Sequence, residues 1–171
     1  MSVELGGLSV LSFVVFVLIV GEELGWRGYA LPKLLAERSV LAASLILGAL
    51  WGAWHLPTFF VPGAPQYGLP FPAFVLLTVA YSVVFTWVYL HTRGSVLIST
   101  LLHGAINFFP GLLLGGIDPA REYWLLAAVY GAAALAVAYV FGPKLSRKAT
   151  ARGDFTAGPG RSAHTRPWGT P

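Results

Sequence analysis

The twenty residues from Phe71 to Leu90 contain no charged side chain. A helix crossing the apolar core of a bilayer needs about 20 mostly apolar residues, so this stretch is predicted to lie in lipid. Four more stretches read the same way: Leu8–Leu31, Val40–Phe60, Ser95–Phe109 and Tyr123–Phe141. The first of these is free of charge from Leu8 to Val20. Charged residues make up 11% of the whole chain, against about 25% in an ordinary soluble domain. That is too little charge to clothe a surface facing water. The predicted fold is all-α, a polytopic transmembrane helix bundle with about five spans.

Breakers separate the spans. Pro57, Pro62, Gly63, Pro65, Gly68 and Pro70 fill the second connection, and Pro110, Gly111, Gly115, Gly116 and Pro119 the fourth. Such residues punctuate helices because they forbid or strain helical backbone. Residues 1–142 read as the transmembrane domain. Residues 143–171 read as a basic tail, rich in Gly, Pro, Arg and Thr, that cannot bury a core and is expected to be disordered. The start is not expected to be a signal peptide, because Glu4 stands where a basic region belongs and the apolar run leads into two carboxylates. Cysteine is absent, which excludes a disulfide scaffold and a thiol nucleophile.

The net charge is +4, but the basic residues sit at span ends and in the tail, which suits membrane lipids rather than nucleic acid. Lys33, Arg38, Arg93, Lys144, Arg147 and Lys148 fall on one side; Arg121 stands on the other beside Asp118 and Glu122. Lys and Arg accumulate on the cytoplasmic side. Five spans then put the amino terminus outside and the tail in the cytoplasm, in an integral protein of a prokaryotic plasma membrane.

The informative residues are those that lipid should reject. Glu22, Glu23 and Arg27 interrupt the first span, His55 ends the second, and His103 and Asn107 share one face of the fourth. A charge at the bilayer centre costs at least about 2.5–3.5 kcal/mol, so pairing or function must retain these groups. Glu23 and Arg27 are four apart in the favourable order and can pair. Glu22 points about 100° away on the helix and is expected to lack a partner within its helix. An unpaired carboxylate in an apolar site gains basicity, the property a general base needs. At about 1.5 Å per residue, Glu22, His103 and Asn107 fall in one band of depth near mid-membrane. His55 lies deeper from the same side, and a tilted second helix would lift it. Trp26, Trp51 and Trp54 read as packing or interface aromatics, and His91 as an interfacial residue beside Arg93.

These residues form an ordered set. Glu22-Glu23-Leu24-Gly25-Trp26-Arg27 reads as EExxxR, Trp51 to His55 occupies the place of FxxxH, and His103 to Asn107 reads as HxxxN. The set resembles the CPBP family of intramembrane proteases, also called the Abi or type II CAAX prenyl endopeptidase family. The resemblance covers Glu22 to Asn107. Trp51 stands where that family has Phe, and family members carry further spans before the first motif. The resemblance implies endopeptidase activity on a membrane-associated or prenylated-like peptide. It implies Glu22 as the base that activates water, His55 as a holder of that water, and His103 and Asn107 as donors to the oxyanion. Glu23 and Arg27 would brace the site.

Two chemistries are open. A glutamate mechanism with no cofactor is favoured. Zinc held by Glu22, His55 and His103 is the alternative, since three protein ligands and one water make a normal catalytic site, although no HExxH is present. The competing function classes are a non-enzymatic membrane protein, either a bacteriocin immunity factor or a scaffold, and a small transporter. Internal repeats, which transporters often carry, are not visible. The partners expected are lipids and a peptide or protein substrate; no sequence feature reports the oligomeric state.

Overall fold

The structure is a computed structural model that describes residues 17–146. The start of the first predicted span and most of the predicted tail lie outside the described residues. Every regular element within them is helical.

Helix α1 occupies 17–37 and changes pitch along its length. After 17–23 it widens into a π-helix over Leu24–Ala30, then returns to α-helix over Leu31–Glu37. Pro32 supplies the physical reason, because it has no N–H to donate into the i→i−4 ladder. The wider register is visible at Leu31, whose N–H reaches the carbonyl of Trp26.

Helix α2 (Val40–Trp54) starts at Ser39, whose hydroxyl accepts from the N–H of Ala42. It ends at Trp54 rather than at the predicted Phe60, and the chain turns through a 3-10 segment, Leu56–Phe59, containing Pro57. Its 15 residues span about 22 Å, less than the roughly 30 Å of an apolar bilayer core. Helices α3 (Phe71–His91), α4 (Val96–Leu113) and α5 (Pro119–Phe141) follow. Helix α4 runs past the predicted Phe109 and through Pro110. Helix α5 starts before the predicted Tyr123, because Asp118 caps it by accepting from the N–H of Arg121.

Among the described residues three helices, α3, α4 and α5 with its 3-10 extension, are long and apolar enough to cross a membrane. Their burial differs sharply. Within the protein 61% of the apolar window of α3 is buried, against 22% for α4 and 11% for α5. Helix α3 is therefore the central post, and α4 and α5 leave broad apolar faces such as Leu101, Phe108, Leu112, Leu135 and Tyr139 exposed. Faces like these suit lipid, and the protein is an integral membrane protein.

The tightest seam joins α2 to α3. Gly48 and Gly52 lie on α2 where a Cβ has no room: at Gly48 it would sit 2.5 Å from the Cα of Val79, and at Gly52 2.7 Å from Oγ1 of Thr78. Small residues four apart allow this approach of two backbones in a membrane. Of the hydroxyls buried nearby, those of Ser44, Thr78 and Thr86 each donate back to a carbonyl of their own helix, while that of Ser82 has no hydrogen-bond partner among the described residues. Leu145 is fully buried in a cluster with Ala80, Val83 and Ala134.

Candidate active site

The π-helical turn of α1 carries Arg27 into the protein interior. Both Glu23 and Arg27 are fully buried, and Nη1 of Arg27 donates to Oε1 of Glu23 over 2.8 Å. The predicted pair forms. It is larger than predicted, since Nδ1 of His103 on α4 also lies 2.8 Å from Oε1 of Glu23. An ionised carboxylate only accepts, so Nδ1 carries the proton, and Nε2 is the remaining ring nitrogen. The guanidinium of Arg27 lies over two aromatic faces, 4.8 Å from the ring centre of Trp51 and 4.2 Å from that of Phe85. Cation–π attraction of this kind strengthens where water is excluded. Nε and Nη2 of Arg27 have no hydrogen-bond partner among the described residues.

Glu22 points elsewhere. It is half-buried, and Nε1 of Trp51 donates to its Oε2 over 2.9 Å. As expected, Glu22 has no partner among the described residues of its own helix; α2 supplies one from across the bundle. Trp51 also exceeds its predicted packing role. His55 caps the C-terminus of α2. Its Nδ1 lies 3.0 Å from the backbone carbonyl of Trp51, so Nδ1 is the donor and Nε2 is left to accept. Phe74 and Trp54 flank the His55 ring edge-to-face at 5.0 and 4.9 Å.

Glu22, His55, His103 and Asn107 all line one cavity of about 480 Å³. Three helices thus bring the four residues together. His103 is buried at its wall, and Asn107, one turn on, is exposed and has no hydrogen-bond partner among the described residues. Glu23 and Arg27 do not line the cavity themselves and back His103 from the interior. The sequence reading missed Gln66, Glu122 and Tyr123, which also line the cavity. Glu22 and His55 additionally border a second, mostly apolar groove of about 730 Å³, walled by Val17, Leu18, Trp26, Tyr29 and Trp54.

Among the described residues no three Glu, Asp or His side chains are grouped as metal ligands. Glu22, His55 and His103 share a cavity, and their hydrogen bonds among the described residues engage only Oε2 and the two Nδ1 atoms, which leaves Oε1 and both Nε2 atoms uncommitted. Zinc stays the alternative to the glutamate mechanism, and no step below runs through a metal.

A family profile described as "Type II CAAX prenyl endopeptidase Rce1-like" matches residues 5–109, more than half of the chain. The chain belongs to this family. The Rce1-like match takes in all six residues of the constellation. A curated relative, CAAX prenyl protease 2 of Methanococcus maripaludis, is 34% identical over 109 residues, covering 58% of this chain. The aligned region covers 40% of that relative's length. At the level of family the Rce1-like assignment is to proteases, and the cavity is where such chemistry would be sought.

Proposed function

We propose that this chain is an intramembrane endopeptidase that cleaves a membrane-associated peptide by glutamate-activated water. The observation that carries the reading is the convergence of Glu22, His55, His103 and Asn107 on one cavity. Glu22 takes a proton from water through Oε1, the oxygen not held by Trp51. Nε2 of His55 accepts a hydrogen bond from the other O–H of that water, which stays intact, and so aims the water. The resulting hydroxide attacks the peptide carbonyl carbon. The tetrahedral oxyanion accepts a hydrogen bond from the Asn107 amide and, in this mechanism, one from His103 as an imidazolium whose Nδ1–H stays on Glu23 and whose Nε2–H meets the oxyanion. The C–N bond then breaks, and the leaving amine takes the proton held by Glu22. Preorganised donors of this type are each worth about 10²–10³ in rate. The apolar groove beside Glu22 and His55 suits an apolar chain on the substrate, as on a prenylated or lipid-embedded peptide.

The test is Glu22→Gln. We expect it to abolish cleavage, by at least about 10³-fold, while the protein remains folded. The inactive variant should then retain its peptide for identification by mass spectrometry. Undiminished cleavage by folded Glu22→Gln overturns the mechanism. If every substitution in the constellation acts only by unfolding, a scaffold role is the better reading.

We further propose that the amino terminus lies outside a prokaryotic plasma membrane and the basic tail inside, from the distribution of Lys and Arg. The cavity then opens toward the outside, because Pro65, Gln66, Glu122 and Tyr123 at its rim belong to the less basic side. The natural absence of cysteine makes this measurable. An impermeant thiol reagent added to whole cells should modify Tyr67→Cys and spare Lys33→Cys; the reverse pattern would turn the cavity toward the cytoplasm.

A further inference from the structure

We propose that Trp51 is a positioning residue that sets both the carboxylate and the imidazole of the site. One residue makes both contacts. Its indole N–H holds Oε2 of Glu22 at 2.9 Å, and its backbone carbonyl holds Nδ1 of His55 at 3.0 Å. The first bond fixes which carboxylate oxygen faces the water. The second fixes the tautomer, since a carbonyl can only accept and Nδ1 must carry the hydrogen.

The ring itself is immobilised. Trp51 is buried, with Tyr81, Phe85 and His103 at 6.3, 5.9 and 5.3 Å between ring centres and the Arg27 guanidinium on its face. Its backbone lies on α2 between Gly48 and Gly52, the stretch pressed against α3. A donor anchored on every side loses little freedom on making its bond, which is what a positioning group requires. Phenylalanine at this place would keep the ring contacts and lose the N–H. The hydrogen bond to Glu22 is therefore a device that the aromatic ring alone does not supply.

This inference rests on the reading of Glu22 as the base, so its test has one readout independent of cleavage. The chain contains six tryptophans. With tryptophan labelled by ¹⁵N in detergent micelles, the indole N–H signal of Trp51 is assigned by its loss in Trp51→Phe. Glu22→Ala should move that signal upfield and leave the signal of Trp87, on the outer part of α3, in place. A Trp51 signal unmoved in folded Glu22→Ala overturns the hydrogen bond. The second readout uses a peptide that the protein cleaves. Trp51→Phe should lower kcat by about 10- to 100-fold, the scale of a small misplacement of reacting groups, with KM unchanged and the protein folded at the assay temperature. Trp87→Phe removes an indole N–H that has no partner among the described residues and should leave kcat as it is. Equal kcat for Trp51→Phe and the parent overturns the positioning role. If the parent cleaves nothing, the endopeptidase reading falls, and the N–H signal still decides the contact.

Discussion

Glu22 and Glu23 are neighbours in sequence with the same side chain, and they live in different worlds. Glu23 is fully buried and accepts from Arg27 and His103 through one oxygen. Glu22 is half-buried, accepts from one indole and borders the cavity. One step of helical rotation, about 100°, separates a carboxylate enclosed by Arg27 and His103 from one facing a chamber. The same contrast divides the whole site. Glu23, Arg27 and His103 form a closed wall, and Glu22, His55 and Asn107 form the accessible front. A site that must hold charge inside lipid gains from this division, because the wall neutralises its own charges while the front keeps a group able to change protonation.

The strongest way to break the comparison is Arg27→Leu. Removing one partner of a buried ion pair leaves the other charge uncompensated, which typically costs about 3–5 kcal/mol. We expect Arg27→Leu to lose its cooperative thermal transition or fail to accumulate in the membrane. Adding Glu23→Leu should recover much of that stability, since an apolar pair of similar volume is often tolerated in place of an ion pair. It should not recover cleavage, because His103 loses its acceptor. A double variant no more stable than Arg27→Leu alone would show that the wall is not held by the pair.

At the front the opposite result is expected. Asn107 is exposed and has no hydrogen-bond partner among the described residues, so Asn107→Ala should alter stability by no more than about 0.5 kcal/mol. Its effect should appear in kcat, as a fall of about 10²- to 10³-fold from the loss of one oxyanion donor. Melting and single-turnover rates on the same preparation separate the two. A destabilised Asn107→Ala with normal kcat would move this residue from the front to the wall.

What could be read in the sequence follows the range of the interaction. The Glu23–Arg27 pair was legible, because a spacing of four fixes its geometry on one helix. The helical class and the places of α3 to α5 were legible from unbroken apolar length. The two bonds that organise the site were not: Trp51 to Glu22 spans 29 residues and His103 to Glu23 spans 80, and periodicity reports only which face a residue occupies, not which helix faces it. The true end of α2 was missed, although Pro57 marks it. The seam between α2 and α3 had a signal that went unread: Ser44, Gly48 and Gly52, each four apart, form the small-residue stripe expected where membrane helices touch.

That seam supports the smallest of the expected effects and tests whether front and wall share one foundation. His55 and Trp51 ride on α2, and α2 is located by its contact with α3. A Cβ at Gly48 would meet the Cα of Val79 at 2.5 Å and the carbonyl oxygen of Thr78 at 2.9 Å. These are backbone atoms, so no side-chain rotation relieves the clash, and the helices must separate. Gly48→Ala should therefore cost about 1–3 kcal/mol, despite the roughly 1 kcal/mol by which Ala is the better helix former. Gly131 in α5 is the control, since a Cβ there meets nothing within 4 Å, and Gly131→Ala should be neutral or slightly stabilising. If the seam positions the front, Gly48→Ala also lowers kcat at temperatures well below its melting point, because Trp51 and His55 shift with α2 away from Glu22. A Gly48→Ala protein with lowered stability and full kcat would mean that Trp51 and Glu22 hold each other in place without help from the seam.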